Sequence, residues 1–215
     1  MDVEQLDVDQ DESTSGRPGL GALAVGFVVL LVGVAIGYLL PSTDSAAGNV
    51  DFGFAQDMTV HHIQAVEMAQ VVFRDSPDPQ VRALALDIYS TQTAQIGQMQ
   101  GWLAMWNRPP LPSGGYMGWM GHGSGMGMST MPGMASEEEL ATLRTMTDLV
   151  SREGLFLQLM LRHHQGGASM LSYATENASS PVVTNFAAQA LTLQQHEVDV
   201  MTDLLRVRGL RPLDS

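Results

Sequence analysis

The chain has no cysteine and no lysine, and only 6% of its residues are aromatic. Without cysteine there are no disulfides, thiolate zinc sites, iron-sulfur clusters or covalently attached haem, so any metal must rest on histidine, methionine and carboxylate. Basic charge is confined to 10 arginines against 23 acidic residues, a net charge of −13. The arginines are scattered and form no patch that could follow a phosphate backbone, which excludes nucleic acid as a partner. No Ser-His-Asp, phosphate-loop or dinucleotide pattern is present, so neither hydrolase nor nucleotide chemistry has support. Glu-x-x-His is also missing, and with it the ligand pattern of a di-iron carboxylate bundle. The expectation is a binding protein without catalytic turnover.

What the chain does contain is a repeat. FAQDMTVHHIQAVEMAQ from Phe54 returns as FLQLMLRHHQGGASMLS from Phe156. A shift of 102 positions superimposes Met58 on Met160, His61-His62 on His163-His164 and Met68 on Met170, with Asp51 on Glu153 ahead of them. The register continues through Pro79 and Pro181, Gln92 and Gln194, Met99 and Met201, and Leu103 and Leu205. About 60 residues are therefore duplicated.

Each copy holds an apolar-periodic segment, a proline-containing turn and a second periodic segment that stops at Asn107 or Gly209, residue types that tolerate the left-handed conformation closing a helix. The unit is a helical hairpin. Two such hairpins bury their stripes against each other as a four-helix bundle. At about 100° per residue, Asp51, Phe54, Met58, His61, His62, Ala65 and Met68 fall within an arc of about 120°. Phe54, Met58, His61, Ala65, Met68 and Val72 follow the four-three spacing of a bundle seam, which points His61 and His163 inward with His62 and His164 flanking.

The first hairpin is expected over residues 51–111 and the second over 136–213. Ser136 followed by Glu139 reads as a capping box, and from Glu137 the helix is expected to run unbroken to Asn177. Gly166-Gly167 beside the second histidine pair predicts close approach of another helix at that point.

Residues 112–135 between the hairpins are rich in methionine and glycine. Glycine and proline forbid a regular helix there, and such a flexible loop offers no core to Met117, Met120, Met126, Met128, Met131 and Met134, which surround His122. Thioether sulfur is a soft ligand suited to Cu(I), so the loop is read as an auxiliary copper-capturing segment. Two blander readings stand beside it: that Met117, Trp119 and Met120 fold back over apolar surface, and that the methionines scavenge oxidants.

Ahead of the bundle, residues 1–18 are acidic and read as a disordered cytoplasmic tail. Residues 19–40 are uncharged and apolar, long enough to cross a bilayer core of about 30 Å as a helix. Residues 41–50 are a linker. An uncleaved single-pass anchor is favoured, although Ser45-Ala46-Ala47 has the small side chains of a cleavage site. Arg17 ahead of the span, with no basic residue after it until Arg74, places the N-terminus in the cytoplasm and the bundle outside. Gly33 and Gly37 form a small-xxx-small pair through which two spans could pack as a homo-oligomer.

A lone histidine on an apolar seam is usually structural, but two matched pairs with matched methionines point to metal. Burying imidazole is costly unless it is paired or coordinated. Imidazole with thioether and few carboxylates favours copper, as Cu(I). Haem held between histidine and methionine, as in electron-transfer bundles, is the alternative, and a metal-free membrane adaptor whose stripe is only core is the third reading. His196 matches Ala94 and is read as structural or solvated. Glu197, Asp199 and Asp203 are read as a solvated helix face.

The stripe Asp51, Phe54, Met58, His61-His62, Ala65, Met68 and its second copy ending in HHQGGASM resemble the domain of unknown function 305 family over residues 51–213. The resemblance implies a ferritin-like up-down four-helix bundle, extracytoplasmic placement and association with copper. Carried over by position, it implies a ligand set of Met58, His61, His62, Met68, Met160, His163, His164 and Met170, with Asp51 and Glu153 as carboxylates standing behind the ligands. The methionine loop lies outside that motif.

Overall fold

The computed structural model describes residues 47–121 and 127–213. The expected tail, span and most of the linker, residues 1–46, lie outside the described residues. Among the described residues no helix is long and apolar enough to cross a membrane.

Among the described residues five α-helices appear in order: α1 (Asn49–Val72), α2 (Pro79–Met105), α3 (Glu137–Thr145), α4 (Leu149–Asn177) and α5 (Pro181–Val207). Helix α1 packs along α2, α4 packs along α5, and the two hairpins meet through α1 and α4. The expected helical bundle is therefore present. Its turns are set where the sequence places them: Asp78 caps α2, accepting from the Gln80 amide at 2.8 Å with Pro79 at the first helical position. Pro181 opens α5 in the same way. Asn107 and Gly209 close the hairpins with φ of 51° and 67°.

The expectation of one helix from Glu137 to Asn177 is corrected. The capping box forms, with the Ser136 amide donating to Glu139 at 2.8 Å and the Glu139 amide to Ser136 at 3.2 Å. The helix then ends, because Asp148 caps a new one by accepting from the Ser151 amide at 2.9 Å and Met146 is extended. Asp148 satisfies an N–H that a continuous helix would have bonded internally, so its side chain competes with helix continuation. The short α3 stays attached through Arg162, which donates twice to Glu139 at 2.7 and 3.0 Å.

The core is in two parts. One end gathers Ala65, Met68, Val72, Val81, Ile88, Phe156, Met160, Met201 and Leu205. The other gathers Phe54, Met58, Met99, Leu103, Met170, Val183 and Phe186 with Met117, Met120 and Met131 of the loop. In all four long helices the residues separating these parts are polar and buried: His61 and His62 in α1, Gln92 in α2, His163 and His164 in α4, and Gln194 and Glu197 in α5. The bundle has a polar belt at its waist.

The loop is not the unsupported segment expected. A single 3₁₀ turn at Gly118–Met120 and a backbone bridge between Tyr116 and Met128 shape it. Asp57 on α1, buried, accepts from the Met117 amide at 2.6 Å and the Trp119 indole at 2.8 Å. Burial raises the Asp57 carboxyl above its ordinary range, only partly offset by those two bonds. At the other end of the loop, the Gln64 amide donates to the Ala135 carbonyl at 2.9 Å and accepts from its N–H at 2.7 Å. Held at both ends by α1, the described part of the loop covers apolar surface of the bundle with Met117, Trp119 and Met120, as in the blander reading.

Candidate metal centre

The antiparallel crossing of α1 and α4 brings the two histidine pairs together, which the repeat alone left open. The rings of His61 and His163 lie 3.8 Å apart, centroid to centroid, tilted by 35°. Glycine makes this approach possible. A Cβ at Gly167 would stand 2.9 Å from Cε1 of His61, and one at Gly166 would stand 2.3 Å from the Pro132 carbonyl oxygen. The predicted close approach is thus found for Gly167 against α1, while Gly166 instead seats the loop.

Each imidazole bonds an oxygen through Nε2. His163 donates to the backbone carbonyl of His61 at 3.0 Å, and His61 to that of Pro132 at 3.4 Å. His62 meets Oε1 of Gln95 at 2.8 Å, and His164 meets the Glu197 carboxylate at 2.7 Å. Oxygen acceptors at Nε2 assign its proton there and leave Nδ1 as the lone-pair nitrogen. All four Nδ1 atoms are buried and without a hydrogen-bond partner. Such atoms cost about 1–3 kcal/mol each when left unmet, and an oxygen behind the opposite nitrogen is how histidine ligands are oriented and made more basic.

Burial keeps the rings of His61, His62 and His163 neutral. Burial pushes His61 down to about 4 and His62 to about 3, the latter helped by the neighbouring His61 ring. His163 is held well below the usual histidine value by burial and by the imidazoles around it. An ion arriving here displaces no proton from them.

Met58, Met68, Met160 and Met170 are fully buried on the two sides of the belt. Met58 and Met170 share the end that also holds Met117, Met120 and Met131, while Met68 and Met160 share the other. Met134 is half-buried and Met128 is exposed. His122 and Met126 lie outside the described residues. Among the described residues, no three His, Asp or Glu side chains are arranged to hold an ion by themselves.

Asp51 and Glu153 do not stand behind the histidines. Ten residues from His61, about 15 Å along the helix, Asp51 accepts from the amides of Ser179 and Ser180 at 3.1 and 2.9 Å. Glu153 accepts from the Asp78 amide at 2.9 Å and from the Ser76 hydroxyl. Each carboxylate closes the turn of the other hairpin. The oxygens behind the flanking histidines come from Gln95 and Glu197, a pair related by the repeat shift. The expectation for Glu197 is corrected, since it is buried against His164, while His196 is exposed as read.

Gln92 and Gln194 complete the belt, 2% and 4% exposed, with neither amide atom bonded in either residue. They hold the same repeat position, one in each copy, and that was the available signal. The double variant Q92M/Q194M, close in shape but apolar, is expected to stabilise the metal-free protein by about 1–3 kcal/mol in urea denaturation. Unchanged or lower stability would show that the amides already have partners.

The profile described as Domain of unknown function (DUF305) matches residues 51–205. No curated protein matches the sequence. Among solved structures, a DUF305 protein of Streptomyces coelicolor is 41% identical, covering 77% of this chain and 98% of its own, with a TM-score of 0.71. A DUF305 fragment of Deinococcus radiodurans is 34% identical, covering 74% and 97%, with a TM-score of 0.61. CopM in its Cu(I)-bound form has the same fold at 24% identity, covering 73% and 95%, with a TM-score of 0.57.

Proposed function

The chain belongs to the Domain of unknown function (DUF305) family, and on that footing we propose that it is a membrane-anchored, extracytoplasmic copper-binding protein that sequesters the ion or passes it on. The observation that carries this reading is the set of four buried, unpartnered Nδ1 atoms, flanked on both sides by buried thioethers. Nitrogen of that kind with methionine sulfur is a donor set for Cu(I). CopM, of the same fold, has been solved with Cu(I), Cu(II) and silver, which supports extending copper to this chain.

Met58, His61, His62, Met68, Met160, His163, His164 and Met170 form the proposed ligand set. The histidines alone form no ready cage, so thioethers complete the coordination. Met117, Met120 and Met131, packed beside Met58 and Met170, bring the loop's sulfur to the same end of the site. Residues 19–40 would anchor the bundle outside the cell. Haem fits less well. The His61 and His163 rings lie 3.8 Å apart, in contact with each other, which leaves no space for a macrocycle between them.

Equilibrating the protein separately with Cu(I), Cu(II), Zn(II), Fe(II) and haem, then measuring retained metal and visible absorbance after desalting, tests the proposal. Copper should be retained and no Soret band should appear. A Soret band would move the protein to electron transfer, and a protein that retains nothing would reduce the polar belt to core.

A further inference from the structure

The two halves of the bundle differ beside the histidines. At positions related by the repeat shift, Val66, Tyr89, Ile96 and Gly97 of the first hairpin become Ala168, Leu191, Val198 and Asp199 of the second. Three side chains shrink and one carboxylate is gained. In the second hairpin these four residues, with His164 and Gln194, line a pocket of about 430 Å³ between α4 and α5. Two of the lining residues carry buried polar atoms with no partner, Nδ1 of His164 and both amide atoms of Gln194.

We propose that this pocket is the port through which copper reaches the histidine layer, so that the ion enters from the second hairpin's side. The inference rests on the copper reading above. A cation leaving water for a low-dielectric interior must exchange its ligands stepwise, because a bare charge there is prohibitively costly. The pocket supplies such steps. Asp199 is exposed and offers a carboxylate at the mouth. Gln194 offers an amide oxygen further in, and His164, oriented by Glu197 at 2.7 Å, offers the first imidazole. In the first hairpin the matched positions carry the bulkier Val66, Tyr89 and Ile96, and Gly97 provides no charge.

Two measurements on the full chain test the port. Carbethoxylation by diethyl pyrocarbonate, followed by peptide mass spectrometry, needs no copper. His164 should react at least ~10-fold faster than His62, and A168V/L191Y/V198I, which restores the first hairpin's residues, should erase the difference. In stopped-flow uptake of Cu(I), the same variant should load at least ~10-fold more slowly while holding the same final amount. D199G should slow loading by roughly 10-fold at low salt and by less at high salt. If the triple variant fails to fold, A168V alone should slow both reactions. Equal modification of His62 and His164, or loading of the plugged variant at the parent rate, overturns the port and leaves the copper reading standing. A parent protein that takes up no copper overturns both.

Discussion

The double variant H61L/H163L is expected to lose copper affinity by at least a hundredfold, about 3 kcal/mol, while still folding. These two imidazoles lie at the centre of the waist with their rings 3.8 Å apart and both Nδ1 atoms unmet, so removing them takes away the innermost nitrogens of the donor set. Leucine is the informative replacement. Alanine would leave a cavity, and a loss of copper could then be blamed on collapse of the site. Leucine fills the space and removes two desolvated nitrogens, each a cost of about 1–3 kcal/mol in the metal-free protein. The metal-free variant should therefore be at least as stable as the parent. Competition with a Cu(I) chelator measures affinity, and urea denaturation measures stability. Undiminished copper affinity in a folded variant would rule out these histidines as ligands.

The metal-free parent should lose stability steeply as pH falls below 6.5. His61 and His62 titrate near 6.5 when unfolded but only at about 4 and about 3 when folded, and His163 is also well below its unfolded value. Between those limits the unfolded chain binds more protons than the folded one, so lowering the pH favours unfolding. Stability is complete above pH 6.5 and declines towards pH 4. Each histidine contributes up to about 1.4 kcal/mol per pH unit, and three together up to about 4. Asp57 acts in the opposite sense: its raised carboxyl takes up a proton more readily in the folded state, but it is one group against three. Thermal melting from pH 8 to pH 4.5 should show the fall, and H61L/H163L should retain only the part due to His62. A melting temperature flat between pH 7 and pH 5 would contradict the burial of neutral imidazoles.

Both expectations depend on features that were unequally visible in the sequence. The hairpins and the inward facing of His61 and His163 were legible because a 102-residue register preserves spacing and because proline, asparagine and glycine mark the turns by their backbone preferences, whereas the contact between the two rings depends on helix adjacency that spacing does not fix. Three other features were not legible. Glu197 sits among Asp199 and Asp203, and its charge reads as solvent-facing until His164 is placed beside it. The break before Asp148 carries no glycine or proline, and one side-chain cap among the weak helix formers Thr145, Thr147, Asp148 and Ser151 decided the outcome. The seating of the methionine loop depends on Asp57 and Gln64, residues of a distant helix that carry no local mark of that role. Asp51 and Glu153 misled for a related reason, because the matched position identified them as important without revealing what they bond.

Those two carboxylates also say something about how the molecule holds together. Asp51 accepts the amides of Ser179 and Ser180 in the turn of the second hairpin, and Glu153 accepts the Asp78 amide in the turn of the first. Each half supplies the carboxylate that fixes the turn of the other. The protein behaves in this respect as a dimer whose subunits have been joined end to end, each finishing the other. A fragment containing one hairpin would lack both its packing partner and the carboxylate that fixes its turn, so division at the methionine loop is expected to leave two halves each short of both.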